Sequence, residues 1–150
     1  MDNICQAQSS TFINKPVTIA FDFLCDPPVE QTALSPLEEK MIKQAPLRGI
    51  GAACQSVIEL AARKLNCTTR CIEYAPPQRL VTRLEGDLQG IQDWHLSAEN
   101  GGTRLQLRFE FTMPEWLPAY LHNNVNATRW SEMLVEQTLA RVKTALEQSL

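Results

Sequence analysis

The sequence predicts an α+β domain in which an antiparallel sheet closes over one long C-terminal helix. Three observations carry that expectation. A helix-start signal at Lys15-Pro16 follows a first strand-like run, five alternating runs fill Ala52 to Met113, and from Pro114 onward the apolar period becomes that of one amphipathic helix ending at Leu150. A sheet with one apolar face, followed by a single long helix, buries that face by curling around the helix and leaves an internal space between the two.

A chain of 150 residues fits one domain, here 1–150, and at this size folding buries roughly 70% of the surface of the unfolded chain, so no staple is needed. Fourteen basic against seventeen acidic side chains give a net charge of −3. That balance lacks the basic field that neutralises phosphates, which argues against nucleic acid as a partner. Met1-Asp2-Asn3-Ile4 has neither a basic nor an apolar leader region, and nowhere do about 18 apolar residues run together, so no transmembrane segment and a cytoplasmic location are expected. The five cysteines (Cys5, Cys25, Cys54, Cys67, Cys71) are an odd count without a CxxC pair, which suits a reducing compartment and small core side chains. Cys67 and Cys71 share one face of a strand but stand about 13 Å apart along it, too far for a disulfide or a common metal. Two glycosylation sequons, at Asn66 and Asn126, lack a secretory context.

The elements follow in order. Ile4 to Ile13 reads as an edge-like first strand. Asn14 is a fair N-cap, Pro16 suits a first helical turn, and Val17, Ala20, Phe21 and Leu24 recur at helical spacing until Asp26-Pro27-Pro28 stops the helix. Val29 to Pro46 predicts a short helix, a loop holding Glu38-Glu39, and a strand near Met41 to Ala45. Gly49-Ile50-Gly51 breaks the backbone before a strand from Cys54 to Lys64 with Ile58 and Leu60 in phase; Asn66 then turns the chain into Thr68 to Tyr74. After Ala75-Pro76-Pro77 come Gln78 to Gly86, with Leu80, Thr82 and Leu84 in phase, and Ile91 to Ala98, with Trp94 and Leu96 on one face. Asn100-Gly101-Gly102 signals a tight hairpin, after which Leu105, Leu107, Phe109, Phe111 and Met113 alternate with polar residues. Near the C-terminus Ala127, Trp130, Leu134, Val135, Thr138, Leu139, Val142, Ala145 and Leu146 cover one half of a helical wheel. A helix unbroken from Pro118 to Gln148 would be roughly 45 Å long, with Asn123-Asn124 a place for a kink.

This order of elements, the stretch EYAPPQRLVTRLEGDLQGIQDWHL, the hairpin and strand NGGTRLQLRFEF, and the terminal amphipathic helix together resemble the SRPBCC, or START-like, superfamily, which includes polyketide cyclases, lipid-transfer domains and the birch-pollen allergens. The resemblance covers nearly the whole chain and rests on pattern and spacing. It implies a helix-grip fold: a seven-stranded antiparallel sheet wrapped around the C-terminal helix, two short helices after the first strand, and an apolar cavity. Because that fold hosts unrelated activities, it does not by itself assign a function.

No catalytic constellation stands out. His95, between Trp94 and Leu96, is expected on the surface, and His122 beside Asn123 would sit at a cavity mouth. Neither comes with a nucleophile or with zinc spacing, so no cofactor and no metal are expected. Glu85 and Asp87 flank Gly86 as solvated charges, and Arg83 and Arg108 fall on the outer parity. Arg70 is the polar residue with two readings. If Ile72 and Tyr74 point inward, Arg70 follows and can hold a carboxylate, enolate or keto oxygen; otherwise it snorkels to water at the rim.

The candidate cavity lining is therefore Ile58, Leu60, Arg70, Ile72, Tyr74 and Leu84 on the first strands, Trp94, Leu107, Phe109 and Phe111 on the next, and Trp116, Tyr120, Trp130 and Leu134 toward the helix. A filled core would use the same residue types. Three functional readings follow. A carrier or binder of a small hydrophobic molecule (lipid, isoprenoid or polyketide-like aromatic) needs only a dry cavity. A cyclase, dehydratase or aromatase-like enzyme needs inward polar groups among Arg70, Tyr74, Tyr120 and His122. A protein-interaction module, such as a homodimer, would use the helix or the edge strand Ile4 to Ile13.

Overall fold

The alternating runs become the strands of one antiparallel sheet in the computed structural model, which describes residues 4–26, 39–43, 46–60, 62–112, 114–116 and 127–148. Six strands of eight or more residues form its body: β1 (Ile4–Ile13), β3 (Ala53–Leu60), β4 (Arg63–Ala75), β5 (Arg79–Gly86), β6 (Gln89–Glu99) and β7 (Gly102–Thr112). The five-residue β2 (Glu39–Lys43) adds to β3 across an irregular register between Met41 and Lys43. The strand order is β1-β7-β6-β5-β4-β3-β2. Among the described residues two helices accompany the sheet, α1 (Val17–Cys25) and α2 (Ala127–Gln148).

β1 lies at the sheet edge within the expected bounds and pairs with β7 from Ile4 opposite Thr112 to Ile13 opposite Thr103. Helix α1 starts after Pro16, whose carbonyl accepts the N–H groups of Ile19 and Ala20 at 3.0 and 3.1 Å. Asn14 is not its cap. The Asn14 N–H instead donates to Glu147 Oε2 at 2.9 Å, tying the start of the chain to the end of α2. Ala20, Phe21, Leu24 and Cys25 form the buried stripe of α1. Glu39 belongs to β2 rather than to a loop. Glu38, Pro28 and the short second helix expected near Val29 lie outside the described residues.

The β3–β4 connection differs from expectation. Leu60 already pairs with Arg63, and Ala62 takes the positive φ of 62° that the tight turn requires. Arg63 and Lys64 therefore begin β4, and Asn66 is a strand residue whose N–H donates to Asp87 Oδ2 at 2.8 Å. An Ala-Ala step carries no turn signal, whereas asparagine does, and that drew the expected turn to the wrong place. At the β6–β7 hairpin the signal and the structure agree. Asn100 and Gly101 have φ of 49° and 79° between the paired Glu99 and Gly102, the backbone a two-residue hairpin needs.

The described part of α2 begins at Ala127, and its 22 residues span roughly 33 Å at the usual rise. The segment 117–126, with Tyr120, His122 and Asn123-Asn124, lies outside the described residues. Ser131, Val135, Thr138, Leu139, Val142 and Leu146 recur every three or four residues as a buried stripe that lies along β1 and, less extensively, β7. Thr138 is buried as expected; Ser131 was not foreseen there. Lys143 Nζ donates to the Phe12 carbonyl and pairs with Glu147 at 3.0 Å, anchoring the last turns of the helix.

Candidate functional site

The candidate lining is sought on the inner face of the sheet, where strand parity decides which side chains are buried. On β5, Leu80, Thr82 and Leu84 are buried; on β6, Trp94 and Leu96; on β7, Leu105, Leu107, Phe109 and Phe111; on β3, Ile58. These share one hydrophobic cluster with α1 and α2, except for the polar Thr82. The Phe109 and Phe111 rings stack at 5.8 Å, and Trp130 of α2 tilts against Phe111 at 5.8 Å. Leu105, Leu107, Phe109 and Phe111 are no more than 1% exposed, so β7 supplies the driest strip of the face.

A second tier is only partly buried against this cluster: Tyr74, Trp116, Trp130 and Leu134. Tyr74 meets Phe21 of α1 with ring centroids 5.7 Å apart. The Arg63 guanidinium stands 4.5 Å over the Trp116 ring, a cation–π contact that covers the indole while keeping the charge wet. Half-buried aromatic and aliphatic side chains around a dry floor are the composition of an apolar ligand pocket. The side chain of Leu60, and all of Tyr120 and His122, lie outside the described residues.

Arg70 and Ile72 do not join this face. Cys71 pairs with Thr82 and Glu73 with Val81, so Ile72 is the extra residue of a β-bulge. Before the bulge Cys67 and Cys71 point to the core; after it Tyr74 does, opposite Leu80. The bulge shifts the phase by one, which is why extrapolating inward from Tyr74 through Ile72 to Arg70 fails. Arg70 instead lies on the outer face, its Nε donating to Glu85 Oε1 at 3.2 Å and one terminal nitrogen reaching the Gly51 carbonyl at 3.4 Å. Ile72 is half-buried and is not part of the core cluster.

The other charges are exterior too. Arg83, Arg108 and His95 are exposed. Arg79 bridges Glu73 at 2.9 Å and Asp93 at 3.0 Å, beside an open groove of about 230 Å³ lined by Val81, Ile91, Arg108 and Glu110. Glu85 is occupied by Arg70, and Asp87 by the backbone of Asn66, so the two carboxylates flanking Gly86 hold the β4–β5 pairing together. Among the described residues, no group of three or more His, Cys, Asp or Glu side chains is placed to hold a metal ion.

Among the described residues the buried polar side chains are all uncharged: Ser56, Thr82, Gln92, Thr103, Ser131 and Thr138. Sequence reasoning placed Thr82 and Thr138 correctly and missed Ser56 and Gln92, although the parity of Ser56 with Ile58 and of Gln92 with Trp94 was the available signal. Thr103 is satisfied, donating to the Lys15 carbonyl at 2.8 Å, and Thr138 donates to the Leu134 carbonyl at 2.7 Å. All five cysteines are buried free thiols. Burial pushes Cys25 up to about 11, against the opposing charge of Arg48, and also raises Cys5 and Cys71. They are inert thiols rather than nucleophiles. Among the described residues the inner face is apolar and presents no acid–base pair.

With the geometry in place, comparison with known proteins adds a consistent fold. The chain matches no known protein family and no curated protein. Among solved structures, protein CV1439 from Chromobacterium violaceum superposes with a TM-score of 0.67 at 16% identity over 96% of this chain and 98% of its own. Ara h 8.0201 gives 0.62 at 10% identity over 97% and 99%. DynU16, from the dynemicin biosynthetic locus, gives 0.61 at 16% identity over 99% of this chain and 48% of its own. At these identities the likeness is one of fold. Among the described residues no helix is long and apolar enough to cross a membrane.

Proposed function

We propose that this chain is a single SRPBCC-type domain whose sheet wraps α2 in a helix grip and binds or carries a small hydrophobic molecule between the two. The observation that carries this reading is the inner face itself: a floor of Leu84, Trp94, Leu107, Phe109 and Phe111 without a buried charge, ringed by the half-buried Tyr74, Trp116, Trp130 and Leu134. A molecule held there gains from apolar burial at about 25 cal/mol per Å² and needs no counter-ion. The outer position of Arg70 weighs against the cyclase or dehydratase reading, which needed that guanidinium to polarise a carbonyl. Five buried thiols support a reducing, cytoplasmic setting.

The test is equilibrium uptake of an apolar fluorophore, diphenylhexatriene, by the wild type and by Leu134→Trp, which adds bulk one helical turn from Trp130. Saturable uptake at one probe per chain, weakened at least about fivefold by the added indole, is the expected outcome. Absence of saturable uptake, or equal uptake by both proteins, would sink the carrier reading.

A further inference from the structure

The two edges of the sheet are built differently. β2 ends one side with five residues that include Glu39, Lys40 and Lys43, and its register with β3 is irregular. Shortness, charge and a register break are the devices that keep a strand edge from pairing with another chain. β1, at the other side, has none of them. Its ten residues hold no charged side chain, no proline and no glycine, and they run along β7 without a register break. Among the described residues no strand pairs with its outer side. Helix α2 secures only the end of that edge, where the Phe12 carbonyl accepts from Lys143 Nζ and the Asn14 N–H donates to Glu147. Earlier in the strand, Gln6, Ala7 and Gln8 border an open groove of about 470 Å³ that Arg108, Thr128 and Glu132 also line. Cys5 and Ala7 point to the core, whereas Ile4, Gln6, Gln8 and Ser10 are exposed, Ile4 by 51%.

We propose that the first half of β1 pairs antiparallel, across a two-fold axis, with β1 of a second copy of this chain, so that the two sheets become continuous. Charge favours a second copy as the occupant. Each chain carries a net charge of −3, and this uncharged strand is where two such copies meet without setting like charges against each other. The charged side chains of the groove, Arg108 and Glu132, are opposite in sign, so a two-fold mate brings the same balanced pair. The side chains also match themselves. Pairing centred on Ala7 sets Gln6 of one copy opposite Gln8 of the other. The Gln6 amide nitrogen already donates to Glu110 Oε1 at 2.7 Å, which leaves its oxygen to accept from the facing Gln8 amide. The unlike edges fix the number of copies. One open edge and one blunted edge close a dimer, whereas two open edges would build an array. The inner face takes no part in this contact, so the dimer stands or falls separately from the carrier reading.

Sedimentation equilibrium of the full chain, from about 1 to about 200 μM, should show monomer and dimer in exchange and no larger species. Gln8→Lys puts a like charge on each strand beside the axis and should weaken the dimer at least about fivefold, while the far-UV spectrum of the monomer stays that of the wild type. Hydrogen exchange of the wild type gives a reading that needs no variant. Amides between Ile4 and Ser10 that face away from β7 should exchange more slowly at the high concentration than at the low one, and the amides of β7 should not change. A wild type that stays monomeric throughout, a dimer that Gln8→Lys leaves equally tight, exchange in β1 that ignores concentration, or growth beyond the dimer would each overturn the proposal.

Discussion

Arg70 bonds Glu85 at 3.2 Å on the outer face of the sheet, one residue before the buried Cys71. That pairing turns a candidate ligand anchor into a surface ion pair, since the two side chains are 43% and 34% exposed. Arg70→Met should therefore leave uptake of both neutral and acidic fluorophores unchanged and cost less than about 1 kcal/mol in urea unfolding. A selective loss of acidic-probe binding would return Arg70 to the site.

Phe111 and Trp130 touch across the sheet–helix interface with unequal burial, so the same truncation should act differently at each. Phe111 is fully buried, and Phe111→Ala should cost about 3–5 kcal/mol. The partly buried Trp130 should lose only roughly 1–2 kcal/mol on Trp130→Ala yet change probe affinity more, because its ring packs on the core without being sealed in it. Chemical denaturation paired with probe titration reads both quantities. A Trp130→Ala protein with unaltered affinity would exclude that indole from the lining.

Gly86 carries a φ of +111°, and a Cβ added there would stand 2.6 Å from the Asn66 carbonyl. Backbone cannot yield as a flexible side chain would. Gly86→Ala should lower the thermal midpoint by roughly 4–10 °C, and a midpoint within experimental error of the wild type would show that the β4–β5 pairing tolerates a shift there.

Cys25 gives the fold an alkaline weakness. Its folded value is raised from 9.0 to about 11, chiefly by burial. Between those values the unfolded chain loses a proton that the folded chain keeps. Its contribution to stability is thus whole below about pH 9, declines as the pH rises toward 11, and totals on the order of 2–3 kcal/mol. Urea midpoints at about pH 8 and about pH 10.5 should differ less for Cys25→Ala than for the wild type, with a residual slope from Cys5 and Cys71. Identical slopes in the two proteins would remove Cys25 as the source.

The sheet was legible where side chains alternate without interruption and where the turn carries its own signal. Leu105 to Phe111 and the Asn100-Gly101 step met both conditions, and β1 matched residue for residue. Legibility failed where geometry breaks the period locally. The bulge at Ile72 reversed the phase between Arg70 and Tyr74, and the turn at Ala62 was disguised by an Ala-Ala step beside a misleading Asn66. The site followed the same division. Burial of the aromatic strip on β6 and β7 was readable from parity, whereas buried Ser56 was overlooked although it shares the parity of Ile58.

The central claim is that the domain holds a small apolar molecule between sheet and helix, and native mass spectrometry of the protein isolated from its own cells, followed by denaturing extraction, tests it most directly. The expected result is a chain carrying one small apolar molecule that organic solvent recovers. A chain that is always bare, and stays bare after incubation with an organic extract of those cells, would contradict the account.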